Sequence, residues 1–191
     1  MAGGPRILYN ALFVPLARVA LPVASRFDSK LRAGLEAREG ALGRWRKAAW
    51  KTAGRRPRIW VHAASAGESL QARPLVESIR LARPSAAIFF SWWSPSAVRA
   101  IEGWEAVDHA DVLPLDFPGR TRRVIESIEP DTILLVSAET WPNLVWAASD
   151  ARVPIAQVCC RLARSSGRLR WPARGITQDV YRHLAAVATV G

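Results

Sequence analysis

The 191-residue sequence has few of the residues that build covalent or metal-linked frameworks, with two cysteines, three histidines and one methionine. Cys159 and Cys160 are adjacent in the chain, and neighbouring cysteines rarely bond to each other. No pair of histidines stands at helical spacing, and no cysteine spacing resembles a zinc site. The composition therefore argues against a disulfide scaffold, and we expect neither a metal nor a cofactor in this chain.

Common sequence motifs of nucleotide-binding and hydrolytic enzymes are missing too. The chain has no G-x-G-x-x-G after a predicted strand, no Walker loop and no G-x-S-x-G nucleophile elbow. Each of these motifs supplies the backbone geometry for a phosphate or an activated serine. We therefore expect that this chain does not hold a nucleotide.

Negative charge is scarce, since 27 basic residues face 16 acidic ones and the formal net charge is +11. Such a field attracts nucleic acid, an anionic membrane surface or a phosphorylated ligand, although a merely solvated surface is the alternative. No recognition helix or RNA-binding signature accompanies the charge, so we expect no nucleic-acid partner. The excess lies in two runs: Arg44, Arg46, Lys47, Lys51, Arg55, Arg56 and Arg58, and Arg161, Arg164, Arg168, Arg170 and Arg174.

The N-terminal segment is apolar but interrupted. Ile7–Phe27 contains Asn10, Arg18 and two prolines, and it falls short of the ~20 uninterrupted apolar residues of a spanning helix. No small-residue cleavage site ends it, which argues against a signal peptide. A membrane-surface anchor and a helix packed on the domain both remain open. We assign residues 1–56 to a membrane-proximal helical and basic segment and residues 57–191 to the main domain.

From residue 58 onward, short apolar runs alternate with helical patterns. Unbroken apolar strands alternating with helices are typical of a parallel sheet covered on both faces, so we predict an α/β, Rossmann-like, doubly wound fold. The predicted strands are Ile59–Ala63, Ala86–Ser91, Asp111–Leu115, Thr132–Val136, Ile155–Val158 and Ala186–Val190. The predicted helices are Glu68–Ala82, Ser96–Glu102, Arg120–Ile128, Asn143–Ala148 and Thr177–His183.

The corner between the first strand and its helix carries Glu68, within the run Trp60-Val-His-Ala-Ala-Ser-Ala-Gly-Glu68. Ligand crevices of open parallel sheets lie at such strand ends. The helix macrodipole favours an ionised carboxylate there, as a general base requires. A helix-capping glutamate without chemistry is the alternative interpretation.

Polar side chains recur at the carboxyl ends of the other predicted strands. Carboxylates, amides and hydroxyls suit a polyhydroxylated ligand, and arginines suit an anionic one. Capping of the next helix is the alternative role for Asp116, and tryptophans are more often core or rim residues than ligand contacts. We predict these residues around one rim: Ser65, Gly67, Ser94, Asp116, Glu139, Trp141, Asn143 and Arg161.

Four motifs resemble those of the 3-deoxy-D-manno-octulosonic acid (Kdo) transferase family. They are the run that ends at Glu68, Leu113-Pro-Leu-Asp-Phe-Pro118, Glu139-Thr-Trp-Pro-Asn143 and Arg161-Leu162. Leu8-Tyr9-Asn10 and Gly34-Leu-Glu-Ala-Arg38 are similar to its membrane-proximal start. The motifs stand in the family's order, but they correspond only to the N-terminal half of its architecture.

The resemblance implies the acceptor-binding half of a GT-B glycosyltransferase of lipopolysaccharide synthesis. Such an enzyme passes Kdo from CMP-Kdo to a lipid A precursor at the cytoplasmic face of the inner membrane. The family's base corresponds to Glu68, and a C-terminal domain, which this sequence lacks, takes CMP-Kdo. Ser137 and Ala138 differ from the acid and the threonine that usually precede Glu139 in the family. A non-catalytic module that binds lipid A or another anionic ligand is therefore the alternative.

Overall fold

A computed structural model describes residues 3–161 and 165–190. Its six strands are β1 (Arg58–His62), β2 (Ala87–Trp92), β3 (His109–Val112), β4 (Thr132–Val136), β5 (Ile155–Cys160) and β6 (Ala186–Thr189). Its helices are α1 (Gly4–Leu8), α2 (Val14–Ala24), α3 (Ser29–Ala37), α4 (Ala41–Lys51), α5 (Ala66–Ala82), α6 (Val98–Ile101), α7 (Pro118–Ile128), α8 (Pro142–Asp150) and α9 (Ala173–Arg182). A π-helical turn, Tyr9–Phe13, joins α1 to α2, so that Gly4–Ala24 is one continuous segment, called the N-terminal helix below.

The strands form one parallel sheet in the order β3-β2-β1-β4-β5-β6. The order reverses at β1, whose neighbours are β2 and β4, and a crevice opens at the carboxyl ends of strands around such a point. The predicted doubly wound fold is confirmed, and the residues predicted to surround the crevice follow these strands.

Both faces of the sheet are covered, which explains the unbroken apolar runs. Trp60 faces one hydrophobic cluster together with Phe89 and Leu135, whereas Ile59 and Val61 face the other. Adjacent strand residues point to opposite faces, so every residue of a doubly covered strand has to be apolar or internally paired. Only β6, at the edge, is exposed along its whole length.

Several predicted boundaries differ from those in the structure. β3 ends at Val112 rather than Leu115, ahead of Pro114, which has no N–H to pair with a neighbouring strand. The helix predicted at Ser96–Glu102 consists of a 3₁₀ turn, Pro95–Ala97, followed by the single turn α6. α5 begins at Ala66, two residues earlier than predicted, because Ser65 caps it.

Helix α4 belongs to the same core as the sheet, although the sequence analysis assigned it to the N-terminal segment. Trp45 is fully buried and its ring lies 5.7 Å from that of Trp60. Its neighbours Ala41 and Ala48 are buried in the same cluster. Basic residues occupy the exposed face of α4, and for this reason the sequence of the helix was interpreted as a basic surface segment and not as part of the core.

The N-terminal helix packs on the domain and also presents an apolar outer face. Val14 is buried against Leu115 and Phe117, while Leu16 and Val19 on the other side are 62% and 69% exposed. The helix has 21 residues and is apolar enough to cross a membrane by length and composition, a test that signal sequences pass too. Its prolines do not end the helix, so the interruptions noted in the sequence do not shorten it.

Candidate functional site

The corner after β1 holds Glu68 through a reciprocal capping box. Glu68 Oε2 accepts hydrogen bonds from the backbone N–H groups of Ala64 (2.8 Å) and Ser65 (3.1 Å). The Glu68 N–H in turn donates to Ser65 Oγ at 3.5 Å. Gly67 is exposed beside them, and a Cβ there would meet no atom within 4 Å. The capping interpretation is therefore realised in the geometry, and it uses one of the two carboxylate oxygens.

The end of β2 is tied to the same corner by backbone hydrogen bonds. Ala64 O accepts from the N–H groups of Trp93 (3.2 Å) and Ser94 (2.8 Å). Ser94 Oγ accepts from the Ser96 N–H and lies 2.9 Å from Ser96 Oγ, so it starts the 3₁₀ turn. Ser65 and Ser94 are thus brought to neighbouring loops, each half-buried.

Glu139 comes to the corner from the end of β4. Ser137, with φ +68°, turns the chain after the strand. Burial raises the pKa of the Glu139 carboxyl, and the negative charge of Glu68 raises it further. Arg168 opposes both effects: it donates to Glu139 Oε1 at 3.4 Å and to Ala138 O at 2.7 Å. The structure therefore brings the two predicted carboxylates into electrostatic contact and adds an arginine from outside the predicted set.

His62, which the sequence analysis did not assign to the site, lies directly behind it. The Trp141 indole N–H donates to His62 Nε2 at 2.8 Å, so the His62 proton is on Nδ1 and is donated to Ser91 Oγ at 2.8 Å. The Trp60 indole N–H donates to the same Ser91 oxygen at 2.9 Å. Burial, together with the smaller effect of the Arg38 charge, lowers the pKa of His62 to about 3 against the raising effect of the Ser91 hydrogen bond, so the ring is neutral. In the sheet, His62 of β1 pairs with Ser91 of β2 and lies two residues from Trp60, a register that the sequence alone does not reveal.

Two tryptophans and an arginine extend this network outward. The Trp93 and Trp141 rings lie 4.3 Å apart at 31°. The Arg38 guanidinium lies 4.0 Å from the Trp93 ring centroid and donates to Trp93 O at 3.0 Å. Arg38 is only 8% exposed, and it connects the end of α3 to the end of β2. Trp141 is thus fixed from two sides, by His62 and by the Trp93 ring.

Asp116 and Asn143 lie beneath the surface, where both carboxylate oxygens of Asp116 and the amide nitrogen of Asn143 have partners within the chain. Asp116 Oδ1 accepts from the Leu144 N–H at 3.0 Å, and Oδ2 accepts from the Asn143 N–H at 3.0 Å and the Tyr9 hydroxyl at 3.1 Å. Asn143 Nδ2 donates to Asp116 O at 2.7 Å. Burial raises the pKa of the Asp116 carboxyl to about 6, against the lowering effect of these donors. Their observed role is to hold the start of α8, and their contact with a ligand stays a prediction.

Arg161 is exposed immediately after β5. Its partner in the family motif, Leu162, and the residues up to Arg164 lie outside the described residues. The structure therefore places Arg161 on the carboxyl edge of the sheet and gives no contact for the rest of that motif.

The groups available for chemistry at this edge are the half-buried carboxylates of Glu68 and Glu139. Within the described part of the chain, no group of three His, Cys, Asp or Glu side chains could hold a metal ion, and both cysteines are free thiols. No described residue donates a hydrogen bond to Glu68 Oε1. A carboxylate oxygen of this kind can accept a proton from a bound hydroxyl.

Sequence comparison supplies an independent finding. The profile of a family described as 3-deoxy-D-manno-octulosonic-acid transferase (kdotransferase) matches residues 36–190. A 3-deoxy-D-manno-octulosonic acid transferase of Haemophilus influenzae is 29% identical over 68% of this chain and 31% of its own length. The Bordetella pertussis protein of the same name is 37% identical over 58% of this chain and 27% of its own length. The chain thus spans less than a third of the length of these relatives.

Solved structures of low sequence identity show the same fold. MurG of Acinetobacter baumannii has a TM-score of 0.52 at 9% identity, covering 71% of this chain and 41% of MurG. A UDP-GlcNAc 2-epimerase of Neisseria meningitidis has a TM-score of 0.51 at 12% identity, covering 66% of this chain and 38% of the epimerase. These similarities concern the fold alone.

Proposed function

The chain belongs to the 3-deoxy-D-manno-octulosonic-acid transferase family, and from that premise we propose that it supplies the acceptor-binding half of a Kdo glycosyltransferase. The donor is CMP-Kdo, the acceptor is a lipid A precursor, and CMP-Kdo is taken by a C-terminal domain. The protein acts at the cytoplasmic face of the inner membrane, with the N-terminal helix at the membrane. The +11 net charge and the exposed apolar side chains of that helix support this location.

The observation that carries the proposal is the geometry of Glu68. One oxygen, Oε2, is held by two backbone N–H groups, so the carboxylate has a defined orientation at the sheet edge. The other oxygen accepts no hydrogen bond from a described residue and is available to an acceptor hydroxyl. Capping and catalysis therefore use different oxygens of one side chain and do not exclude each other.

In the proposed step, Glu68 accepts the proton of the acceptor hydroxyl. The hydroxyl oxygen forms a bond to the anomeric carbon of Kdo, the bond from that carbon to the CMP phosphate breaks, and CMP leaves with the electron pair. Glu139, paired with Arg168, lies close enough to Glu68 for their charges to interact. Trp141, fixed by His62, lines the acceptor side.

The test uses a chimera in which this chain is joined to the C-terminal remainder of the Bordetella pertussis relative. Glu68→Gln retains a side-chain oxygen for the capping box but cannot act as a base. We expect turnover to fall by roughly two to four orders of magnitude, the usual range for a positioned general base, while the melting temperature stays unchanged. Radiolabelled Kdo transfer and thermal unfolding are measured on the same samples.

Ser65→Ala is the matched control, because it removes the cap and keeps the carboxylate. We expect it to lose about 0.5–2 kcal/mol of stability, which gives the cost of losing the serine half of the cap for comparison with Glu68→Gln. Near-normal turnover in Glu68→Gln would instead assign Glu68 to capping alone. A chimera that binds lipid A precursor but is equally inactive with either residue at position 68 would favour the alternative, a non-catalytic lipid-binding module.

A further inference from the structure

A cavity of about 460 Å³ lies between the N-terminal helix, α3 and the start of α7, away from Glu68. Its floor is apolar and includes Leu21, Leu35, Leu115 and Phe117. A second cavity of about 440 Å³ shares Leu35, Leu115, Arg120 and Arg123 with it and is also lined by Glu39. Apolar lining residues alone indicate no particular ligand, so the class of ligand is inferred from the charged residues around the cavity.

Three arginines, Arg18, Arg120 and Arg123, line this cavity. Arg18 and Arg120 lie over the Phe117 ring, with guanidinium carbons 5.2 Å and 5.6 Å from its centroid. Within residues 3–161 and 165–190, none of the three lies within ion-pair distance of a carboxylate. Their neighbour Arg122, in contrast, is paired with Glu126 at 2.8 Å. The cavity therefore concentrates positive charge that the chain does not neutralise.

The start of α7 adds to this field. α7 begins at Pro118 beside the cavity, and its N-cap residue, Phe117, supplies no side-chain acceptor. The positive end of the helix macrodipole thus points toward the same space as the three arginines. Guanidinium groups bind phosphate oxygens in pairs, which makes a phosphate the anion that fits best.

The neighbouring surface indicates where that phosphate comes from. Leu12, Leu16, Val19 and Val23 on the outer face of the N-terminal helix are 49–69% exposed, and Arg18 is next to Val19 in the chain. An apolar helix face of this kind is stabilised at a bilayer surface, where basic side chains meet lipid headgroups. A bilayer lipid brings both a phosphate and the methylene groups that an apolar floor accepts.

From these observations we propose that the cavity seats the phosphate of an anionic bilayer phospholipid, with Arg18, Arg120 and Arg123 as its ligands. The site is separate from the Glu68 corner and binds a lipid of the surrounding membrane, not the sugar acceptor. Its occupation orients the domain on the bilayer. The test measures vesicle binding, so its result does not depend on whether the chain takes part in Kdo transfer.

The first test measures sedimentation of the full chain with phosphatidylcholine vesicles that contain or lack phosphatidylglycerol. We expect Arg120→Gln/Arg123→Gln to bind the anionic vesicles about 25-fold more weakly, at roughly fivefold for each arginine near the surface. The control Arg83→Gln/Arg122→Gln removes the same charge outside the cavity and is expected to bind nearly as the wild type. Equal losses in the two variants would overturn the proposal, because they would reveal only a diffuse charge effect.

The second test fills the cavity without changing the charge. A Cβ at Gly119, which lines the cavity, would meet no atom within 4 Å, so the side chain of Gly119→Leu starts in open space beside the cavity. We expect Gly119→Leu to fold normally and to lose the preference for anionic vesicles. Unchanged preference in this variant contradicts a seated headgroup. Thermal stabilisation by millimolar inorganic phosphate, together with equal binding to both vesicle types, would assign the cavity to a soluble phosphate and also overturn the proposal.

Discussion

His62 is held in one tautomer by its neighbours, and this constraint has a consequence for stability. Nε2 accepts from the Trp141 indole and Nδ1–H donates to Ser91, so a second proton has no place to bind without breaking the first hydrogen bond. Burial lowers the pKa of His62 to about 3 from its ordinary value near 6.5. The folded protein therefore binds a proton at His62 far more weakly than the unfolded chain does.

We predict that His62 makes folding sensitive to acid. Between pH 6.5 and about 3, the unfolded chain carries the His62 proton and the folded chain does not, so stability is lost as the pH falls. The expected slope from this residue is at most ~1.4 kcal/mol per pH unit. In His62→Gln the difference between urea unfolding free energies at pH 7 and pH 5 should be smaller than in the wild type. An unchanged pH dependence in that variant would contradict the assignment of a neutral, buried His62.

For individual residues, the sequence predicted which carboxylates belong to the site but not which residues are their hydrogen-bond partners. Glu68 and Glu139 could be singled out because carboxylates after strand ends gather at one edge of a parallel sheet. His62, Arg38 and Arg168 were missed because their roles depend on contacts between distant residues, such as Trp141 with His62. A lone histidine on an apolar strand has no periodic pattern that distinguishes it from a core residue.

At the scale of elements, the start of α8 is clamped to the loop after β3 and to the N-terminal helix. The Asp116 carboxylate accepts two backbone N–H groups of α8, and it also accepts the Tyr9 hydroxyl. The donors and the helix macrodipole offset part of the desolvation of this buried carboxylate, whose pKa is still raised to about 6. Trp141 directly precedes α8, so these hydrogen bonds to the start of α8 also fix the position of Trp141 at the crevice.

We predict that Asp116→Asn destabilises the protein more than Tyr9→Phe does. Asparagine has one acceptor oxygen, so its amide N–H₂ would face an N–H group of α8, at an expected cost of about 1–3 kcal/mol. Tyr9→Phe removes one donor of three and should cost about 1 kcal/mol. Urea unfolding of both variants checks the order. Loss of acceptor affinity in Asp116→Asn without any loss of stability would instead support the predicted ligand contact of Asp116.

Elements with a clear hydrophobic pattern were predictable, and those shaped by distant packing were not. The centres of β1, β2 and β4 are apolar and are covered on both faces of the sheet, and the hydrophobic pattern identified these strands. Helix α4 was hidden by its charges, since only Ala41, Trp45, Ala48 and Ala49 turn toward the core. The continuous N-terminal helix was obscured by Pro15, which follows the π-helical turn Tyr9–Phe13, and by Pro22, which lies near the end of the helix.

At the scale of the whole molecule, the relevant fact is that this chain corresponds to less than a third of its relatives' length. A transfer between two substrates depends on holding both in reacting geometry, and that positioning supplies much of the rate. We therefore predict that the purified 191-residue chain binds lipid A precursor but transfers no Kdo from CMP-Kdo. Joined to the C-terminal remainder of the Bordetella pertussis relative, it should gain transfer activity that Glu68→Gln abolishes.

The chain alone and the chimera are compared by calorimetry with each substrate and by a radiolabelled transfer assay. Turnover by the chain alone, retained after further purification and lost in Glu68→Gln, would show that this chain holds both substrates and would refute its assignment to the acceptor half.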